Sequence, residues 1–174
     1  IDLSNELSNG LYLTDEKSEW PLVEKSLYST VQQAYEQLAY KSSHDELTGL
    51  LNRKECDRLL EKAVTRAQLG ETTHYLIYSD IDKFSLANDL YGHVAGDQLI
   101  VEVSNLITSA APTDSIIARM AGNEFVILLE DCDTGKCHEI AESIRLSIND
   151  HEFKWQEHNI KLSTSMGISS IDEY

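Results

Sequence analysis

The stretch SIIARMAGNEFVILL, residues 115–129, indicates the architecture more clearly than any other part of the chain. Two short apolar runs flank the tripeptide Ala-Gly-Asn at residues 121–123. Gly-Asn between two apolar runs is a strong signal for a tight hairpin. The segment therefore predicts two adjacent antiparallel strands, with Asn123 and Glu124 at the tip between them.

Helix and strand patterns alternate around this hairpin. Apolar residues at helical spacing predict amphipathic helices over residues 22–42, 53–69, 93–110 and 135–149, and apolar runs predict strands over residues 75–80, 152–155 and 161–169. The side chains expected to face inward are Leu59, Leu60, Ala63 and Val64 on the second helix and Leu99, Ile100, Val103, Leu106 and Ile107 on the third. Interleaved helices and strands predict an α/β, or α+β, sandwich with helices packed on a mixed central sheet.

The chain divides into an N-terminal segment, residues 1–42, and a folded domain, residues 43–174. Residues 1–20 are polar and are interpreted as a linker, followed by the helix over residues 22–42. A narrow seam of that helix is formed by Tyr28, Val31, Tyr35, Leu38 and Ser42. Such a seam fits a short coiled coil that transmits a signal, and it equally fits a helix packed on its own domain.

Composition limits the function classes. The formal charge of −16 disfavours nucleic acid as a partner, because Lys and Arg side chains supply most of that affinity. A nucleotide stays possible, since a divalent cation can lie between carboxylates and a triphosphate. Three cysteines without paired spacing favour a reducing, cytoplasmic location, with any membrane anchor of the parent protein outside this chain.

Two aspartates follow the apolar run that begins at Tyr75. Asp80 and Asp82 come at the end of that predicted strand, on the same side of the chain, where open sheets present their ligand sites. Two carboxylates placed in this way can hold a hard cation. The alternative is that either aspartate caps the next turn.

Polar and glycine residues crowd the segment that follows. The amide of Asn88 and the carboxylate of Asp97 can accept hydrogen bonds from N1-H and the exocyclic amine of guanine. Gly92 and Gly96 would permit a close approach of the backbone. Helix capping by Asn88 or Asp89 is the alternative. If the hairpin neighbours the strand that ends at Asp80, Glu124 can complete a cation's shell.

Together these segments resemble the GGDEF, or diguanylate cyclase, family over residues 45–169. The resemblance is carried by four segments in order: HDELTGLLNR at 44–53, DIDKF at 80–84 continued by Asn88-Asp89, Gly92-His93 and Gly96-Asp97, RMAGNEF at 119–125, and LSTSMGI at 162–168. Within the first segment, Asp45 and Arg53 are expected to close the wide turn before the second helix.

The resemblance implies a fold similar to the polymerase palm and the class III nucleotidyl cyclase core, which binds GTP with Mg²⁺ and acts as a dimer. The roles it implies are Mg²⁺ binding by Asp80 and the Ile81 carbonyl, guanine binding by Asn88 and Asp97, backbone approach to the nucleotide by Lys83, Phe84 and Gly122, and catalysis by the positions of Asn123 and Glu124. A last helix with basic residues follows Tyr174 in the family.

The chain departs from the family pattern at the residues that carry charge. Asn123 stands where the family has the acid that binds Mg²⁺ and helps to activate the attacking 3'-hydroxyl, and an amide is a poor base. Ser85 replaces a lysine near the triphosphate. No Arg or Lys lies within residues 103–117, so the family's inhibitory product site is not expected.

These features favour a GTP-binding regulatory module. The resemblance to the family further implies that such a module controls an adjacent phosphodiesterase domain of the EAL type, with a sensor domain upstream. One alternative is an active diguanylate cyclase in which Glu124 replaces the missing acid. The other is a dimerisation scaffold that binds no nucleotide.

Overall fold

A computed structural model describes residues 22–70 and 72–172 of the chain. Two units divide the chain between Tyr40 and Lys41. Helix α1 (Leu22–Ser43) agrees with the helix predicted over residues 22–42. The predicted linker over residues 1–20 lies outside the described residues. No helix in the described part of the chain is both long enough and apolar enough to cross a membrane.

The second unit contains a five-stranded sheet. Its strands are β1 (Leu51–Asn52), β2 (His74–Ile81), β3 (Ile116–Ala121), β4 (Glu124–Leu129) and β7 (Thr164–Ile171). They lie in the order β1-β3-β4-β2-β7. The β1–β3 pair is parallel and the other pairs are antiparallel, which confirms the predicted mixed sheet.

The predicted hairpin is formed by β3 and β4. Ala118 lies opposite Val126, and the register shifts at the tip between Arg119 and Ala121. Gly122 has a φ of +49° in the turn, a backbone conformation that glycine adopts without strain. β4 continues the sheet beside β2, so the tip of the hairpin lies beside the end of the central strand.

Helices cover both faces of the sheet. They are α2 (Arg53–Gln68) on one face and α4 (His93–Ala110) and α5 (Thr134–Asn149) on the other, while α3 (Phe84–Tyr91) packs on α4. On one face α4 and α5 bury a large apolar core in which Leu99, Ile100, Val103 and Ile107 confirm the predicted inner side of α4. On the other face α2 packs through Cys56 against Ala118 and Val126.

Three sequence predictions differ from the structure. Val64 of α2 is 36% exposed, whereas Ala63 is buried as predicted. The buried stripe continues through Cys56 and Ala67, small side chains that were not predicted to face inward. The segment expected to lead directly into the third helix forms the separate helix α3. The strand predicted over residues 161–169 is divided between two sheets.

The division of that strand creates a second, two-stranded sheet. It consists of β5 (Glu152–Trp155) and β6 (His158–Lys161), which pair antiparallel around a turn at residues 156–157. Gln156 takes a φ of +52° in that turn, and the sequence Gln-Glu carries none of the glycine or asparagine signals that would have predicted it. β7 begins three residues later and joins the main sheet.

Candidate functional site

The candidate site lies at the end of the central strand β2, whose last two residues are Asp80 and Ile81. Asp80 pairs with Glu124 of β4 on one side and with Ser165 of β7 on the other. Asp80 is therefore held in register from both sides, and its carboxylate lies beside the first residue after the hairpin turn.

A buried pair of hydroxyl groups fixes the same strand end. The Thr164 hydroxyl donates to the Asp80 carbonyl at 2.9 Å, and it lies 2.7 Å from the Ser79 hydroxyl. Because the Thr164 hydroxyl has a single hydrogen, the Ser79 hydroxyl must be the donor to Thr164. Sequence reasoning gave neither residue a role, because each stands among other polar residues at its end of the strand.

Asn123 makes the decisive contact of the site. Its Nδ2 donates to the Asp80 carboxylate at 3.0 Å and to the Ile81 carbonyl at 2.8 Å. Both partners are acceptors only, so the NH₂ side of the amide must face them, and each of its two hydrogens has one acceptor. A hydrogen bond to a charged group typically contributes about 1.5–3 kcal/mol, so this contact stabilises the hairpin tip.

Hydrogen bonds also hold the backbone of the hairpin tip. The Asn123 carbonyl accepts a hydrogen bond from the Ile81 N–H at 3.2 Å. The Arg119 Nε donates to the Gly122 carbonyl at 3.0 Å, and its Nη1 donates to the Asp45 carboxylate at 3.0 Å. A chain of direct contacts thus runs from the turn at Asp45 to the end of β2.

Asp45 closes the wide turn before α2, as the family resemblance implies. Its carboxylate accepts hydrogen bonds from the Thr48 N–H and hydroxyl at 2.9 and 2.7 Å. Partial burial alone would raise the pKa of Asp45, but the hydrogen bonds from Thr48 and Arg119 outweigh it and hold the pKa below its usual value. Arg53 is 70% exposed and pairs with Asp57 at 3.9 Å, so the partner of Asp45 is Arg119.

Asp82 has hydrogen-bond partners that differ from those of Asp80. Ser163 donates to one of its carboxylate oxygens at 2.6 Å and Ser165 donates to the other at 2.7 Å. These two hydrogen bonds favour the charged form and lower the pKa of Asp82. Asp82 therefore anchors Ser163, just before β7, and Ser165, the second residue of β7, which argues against the interpretation of Asp80 and Asp82 as a pair of ligands for one cation.

Glu124, the cross-strand partner of Asp80, influences Tyr78 on the neighbouring strand β2. Burial raises the pKa of the Tyr78 hydroxyl, and its hydrogen bond with Glu124 and the charges of Glu124 and Asp80 raise it further. Tyr78 and Asp80 are two residues apart on β2 and therefore share a face of the sheet. Sequence reasoning missed Tyr78, which was counted only as the end of an apolar run.

Asn88 and Gly96 form a second cluster, which joins α3 to α4. A Cβ on Gly96 would lie 1.9 Å from the Asn88 Oδ1 and 3.3 Å from the Phe84 ring. The Asn88 Oδ1 is buried there without a hydrogen-bond partner. A buried acceptor without a donor lowers the stability of the folded chain. A ligand that donated a hydrogen bond to the Asn88 Oδ1 would remove this penalty.

The remaining predicted residues surround this second cluster. Asp97 is exposed immediately after Gly96 on α4. Lys83 has a φ of +57° and precedes the first residue of α3, Phe84. The first N–H groups of a helix have no partner within the helix, so the backbone after Lys83 is a suitable donor for an anion.

Magnesium was predicted at Asp80 and the Ile81 carbonyl, and the observed arrangement does not fit a cation held by both groups. The two oxygen atoms already accept the hydrogens of the Asn123 amide. Within the described residues, no group of three or more His, Cys, Asp or Glu side chains is arranged to hold a metal ion. The end of β2 is therefore satisfied by the protein's own amide.

The fold and the order of these segments define the class of the protein. The model of the family described as "Diguanylate cyclase, GGDEF domain" matches residues 42–174. The chain belongs to the GGDEF domain family, whose members share the palm-like cyclase fold.

Named relatives cover the same domain. The chain is 36% identical over 137 residues to the probable diguanylate cyclase DgcE of Escherichia coli, and 32% identical over 143 residues to the bifunctional diguanylate cyclase/cyclic di-GMP phosphodiesterase MucR of Pseudomonas aeruginosa. These matches cover 79% and 82% of this chain. They cover only 12% and 21% of the two relatives, so the chain corresponds to a small part of each.

Solved structures agree with this assignment. The coiled coil and GGDEF domain of DgcB from Caulobacter crescentus, in complex with c-di-GMP, matches 98% of this chain with a TM-score of 0.78 and 26% identity, over 83% of that chain. The active GGEEF domain of a diguanylate cyclase from Vibrio cholerae matches 70% of this chain and 76% of its own, with a TM-score of 0.64 and 31% identity.

Proposed function

We propose that this domain is a regulatory GGDEF module of cyclic di-GMP signalling that binds GTP and does not join two nucleotides. The observation that carries the proposal is the contact of the Asn123 amide with Asp80 and Ile81. Cyclisation requires an acid that accepts the proton of the 3'-hydroxyl and helps to hold a cation. A neutral amide that is already bonded to the neighbouring oxygens can do neither.

Guanine binding is supported by the cluster at Asn88. Guanine offers N–H donors on its N1 and its exocyclic amine, and the buried Asn88 Oδ1 is an acceptor without a partner. Because Gly96 has no side chain, there is room beside it for the Asn88 Oδ1. The carboxylate of Asp97 supplies a second acceptor for guanine. Lys83 and Phe84 then provide backbone donors for phosphate, and Mg²⁺ accompanies GTP as the counter-ion of its triphosphate.

Calorimetric titration of GTP into the 174-residue chain, followed by chromatography of the mixture, tests this proposal. We expect saturable binding and no cyclic di-GMP. Asn88→Ala should abolish binding, while Asn159→Ala, which changes an exposed asparagine of β6, should leave it intact. Formation of cyclic di-GMP would support the active cyclase, in which Glu124 acts as the acid. Absence of GTP binding would support the third possibility, a dimerisation scaffold that binds no nucleotide.

We further propose that the module acts on a neighbouring phosphodiesterase domain of the EAL type and receives its input from an upstream sensor domain. The relative MucR is named as a bifunctional cyclase and phosphodiesterase, and the chain spans a fifth of its length. Activity of the full-length protein towards cyclic di-GMP, measured with and without GTP, tests this arrangement. A rate unaffected by GTP would contradict it.

Association through α1 is a second proposal, with a second copy of this chain as the partner. Four of the five exposed large apolar side chains described on this helix recur at spacings of three and four residues: Leu27, Val31, Tyr35 and Leu38, with Tyr40 as the fifth. This spacing is typical of a coiled-coil seam. We expect Val31→Glu combined with Leu38→Glu to convert a dimer to a monomer in sedimentation experiments, whereas the control Gln33→Glu should leave the dimer unchanged.

A further inference from the structure

We infer that the Asn123 amide takes the place of a divalent cation at the end of β2. A cation at this position would be held by the negative charge of Asp80 and by the Ile81 carbonyl. The amide satisfies the same two oxygens with its two hydrogens, at 3.0 and 2.8 Å. Asp80 and Ile81 therefore need no metal ion to be satisfied.

The amide is held in this position by the rest of the hairpin. The Asn123 carbonyl accepts from the Ile81 N–H, and the preceding Gly122 carbonyl accepts from Arg119. Arg119 is itself fixed by the carboxylate of Asp45. A cation that competes for Asp80 and Ile81 would have to displace a side chain whose own backbone is bonded to the same strand end.

The acids near Asp80 do not bridge to Ile81 as the amide does. Asp82 is held by Ser163 and Ser165. Glu124 pairs with Asp80 across the sheet, and its charge acts on the Tyr78 hydroxyl, whose pKa it raises. Within the described residues, the Asn123 amide is the group that donates to both the Asp80 carboxylate and the Ile81 carbonyl.

The consequence for ligand binding rests on the proposed function. If GTP is held by the cluster at Asn88, it binds without coordination of a cation by Asp80 and Ile81. Its affinity should then depend on Mg²⁺ only through the charge of the nucleotide. A variant with an acid at position 123 should regain a cation site and a stronger dependence on Mg²⁺.

A titration with Mn²⁺ in the absence of nucleotide tests the first step, with nuclear magnetic resonance of the ¹⁵N-labelled chain as the readout. Mn²⁺ broadens the signals of amides near its site. In the unaltered chain, amides 80–82 and 122–124 should broaden no more than those near exposed carboxylates. In Asn123→Asp they should broaden selectively, at concentrations at least about tenfold lower, because a third oxygen ligand with a charge strengthens cation binding.

Three controls make the result specific. Asn159→Asp adds the same charge at an exposed position of β6 and should behave as the unaltered chain does. Asp80→Ala in the Asn123→Asp background should abolish the selective broadening. Thermal unfolding of each variant establishes that it is folded before its signals are compared.

The outcomes separate this inference from the proposed function. Selective broadening in the unaltered chain at the Mn²⁺ concentration that Asn123→Asp requires would overturn the inference, as would a failure of Asn123→Asp to broaden selectively. Calorimetry of GTP with Mg²⁺ or with a chelator then compares the two proteins, and Asn123→Asp should show the larger ratio of affinities. A chain that binds no GTP would contradict the proposed function and leave the Mn²⁺ result unaffected.

Discussion

The two ends of the candidate site contrast in how their polar groups are satisfied. At the hairpin, the Asp80 carboxylate and the Ile81 carbonyl accept from the Asn123 amide. At the start of α4, the Asn88 Oδ1 is buried beside Gly96 without any donor. A closed network stabilises the fold, whereas an unsatisfied acceptor lowers stability unless a ligand donates to it. The difference is the reason why we propose that the nucleotide binds at Asn88 and not at the hairpin.

Gly96→Ala should have the largest effect on GTP binding, because it disturbs the end of the site at which Asn88 has no hydrogen-bond donor. The new Cβ would lie 1.9 Å from the Asn88 Oδ1 and must displace that side chain. We expect GTP affinity, measured by calorimetry, to fall by more than about tenfold, which corresponds to 1.4 kcal/mol. Gly167→Ala is the matched control, since its Cβ meets nothing within 4 Å. Unchanged affinity in Gly96→Ala would remove Asn88 from the binding site.

Arg119→Ala should destabilise the hairpin end of the site, where the polar groups are hydrogen-bonded to one another. It removes the hydrogen bonds to the Gly122 carbonyl and to Asp45, and urea titration at neutral pH should show a loss of about 1–3 kcal/mol in the free energy of unfolding. Arg145→Ala is the control, because its pair with Glu142 is an exposed contact within one helix and should contribute less.

The loss in Arg119→Ala should also depend on pH. The pKa of Asp45 is lower in the folded chain than the usual 3.8. The resulting stability is present above pH 3.8 and disappears as the pH falls through the folded pKa. Urea titrations at several pH values should therefore show the gap between Arg119→Ala and the unaltered chain narrowing under acid conditions. A gap of constant size would contradict the assigned ion pair.

Alanine substitutions at the two asparagines should change stability in opposite directions. Asn123→Ala leaves two acceptors without their donor, so the free energy of unfolding should fall by about 1–3 kcal/mol. Asn88→Ala removes an acceptor that has no partner, so stability should be unchanged or slightly raised. Urea titration of both variants measures the contrast directly. Equal losses would mean that the two halves do not differ.

Glu124→Gln should have the smallest effect. Glu124 raises the pKa of the Tyr78 hydroxyl through its charge and its hydrogen bond, in addition to the effect of burial. Replacing the carboxylate should therefore move the pKa of Tyr78 downward, towards its usual value near 10. Carbon resonances of labelled tyrosine can follow this titration, and Tyr78→Phe identifies the signal. A pKa that does not move would show that Glu124 faces elsewhere.

Local patterns were sufficient for the elements of the fold. Two apolar runs around the Gly-Asn pair at residues 122–123 predicted the β3–β4 hairpin, and helical spacing predicted the inner side of α4. They failed where the decision depended on distant residues. Val64 faces outward because the buried stripe of α2 runs through Cys56, Ala63 and Ala67, of which only Ala63 was predicted. The β5–β6 hairpin was missed because the residues of its turn, Gln156 and Glu157, carry no turn signal.

The sequence by itself determined the family, the order of its motifs and the replacement of an acid by Asn123, because these are properties of residue type and spacing. Only the tertiary structure decided what that replacement does. The amide reaches Asp80 and Ile81 because β4 pairs with β2, some forty residues apart along the chain. In the same way, the packing of α3 on α4 decided that the Asn88 Oδ1 would be buried without a partner, since no local pattern encodes a contact with Gly96.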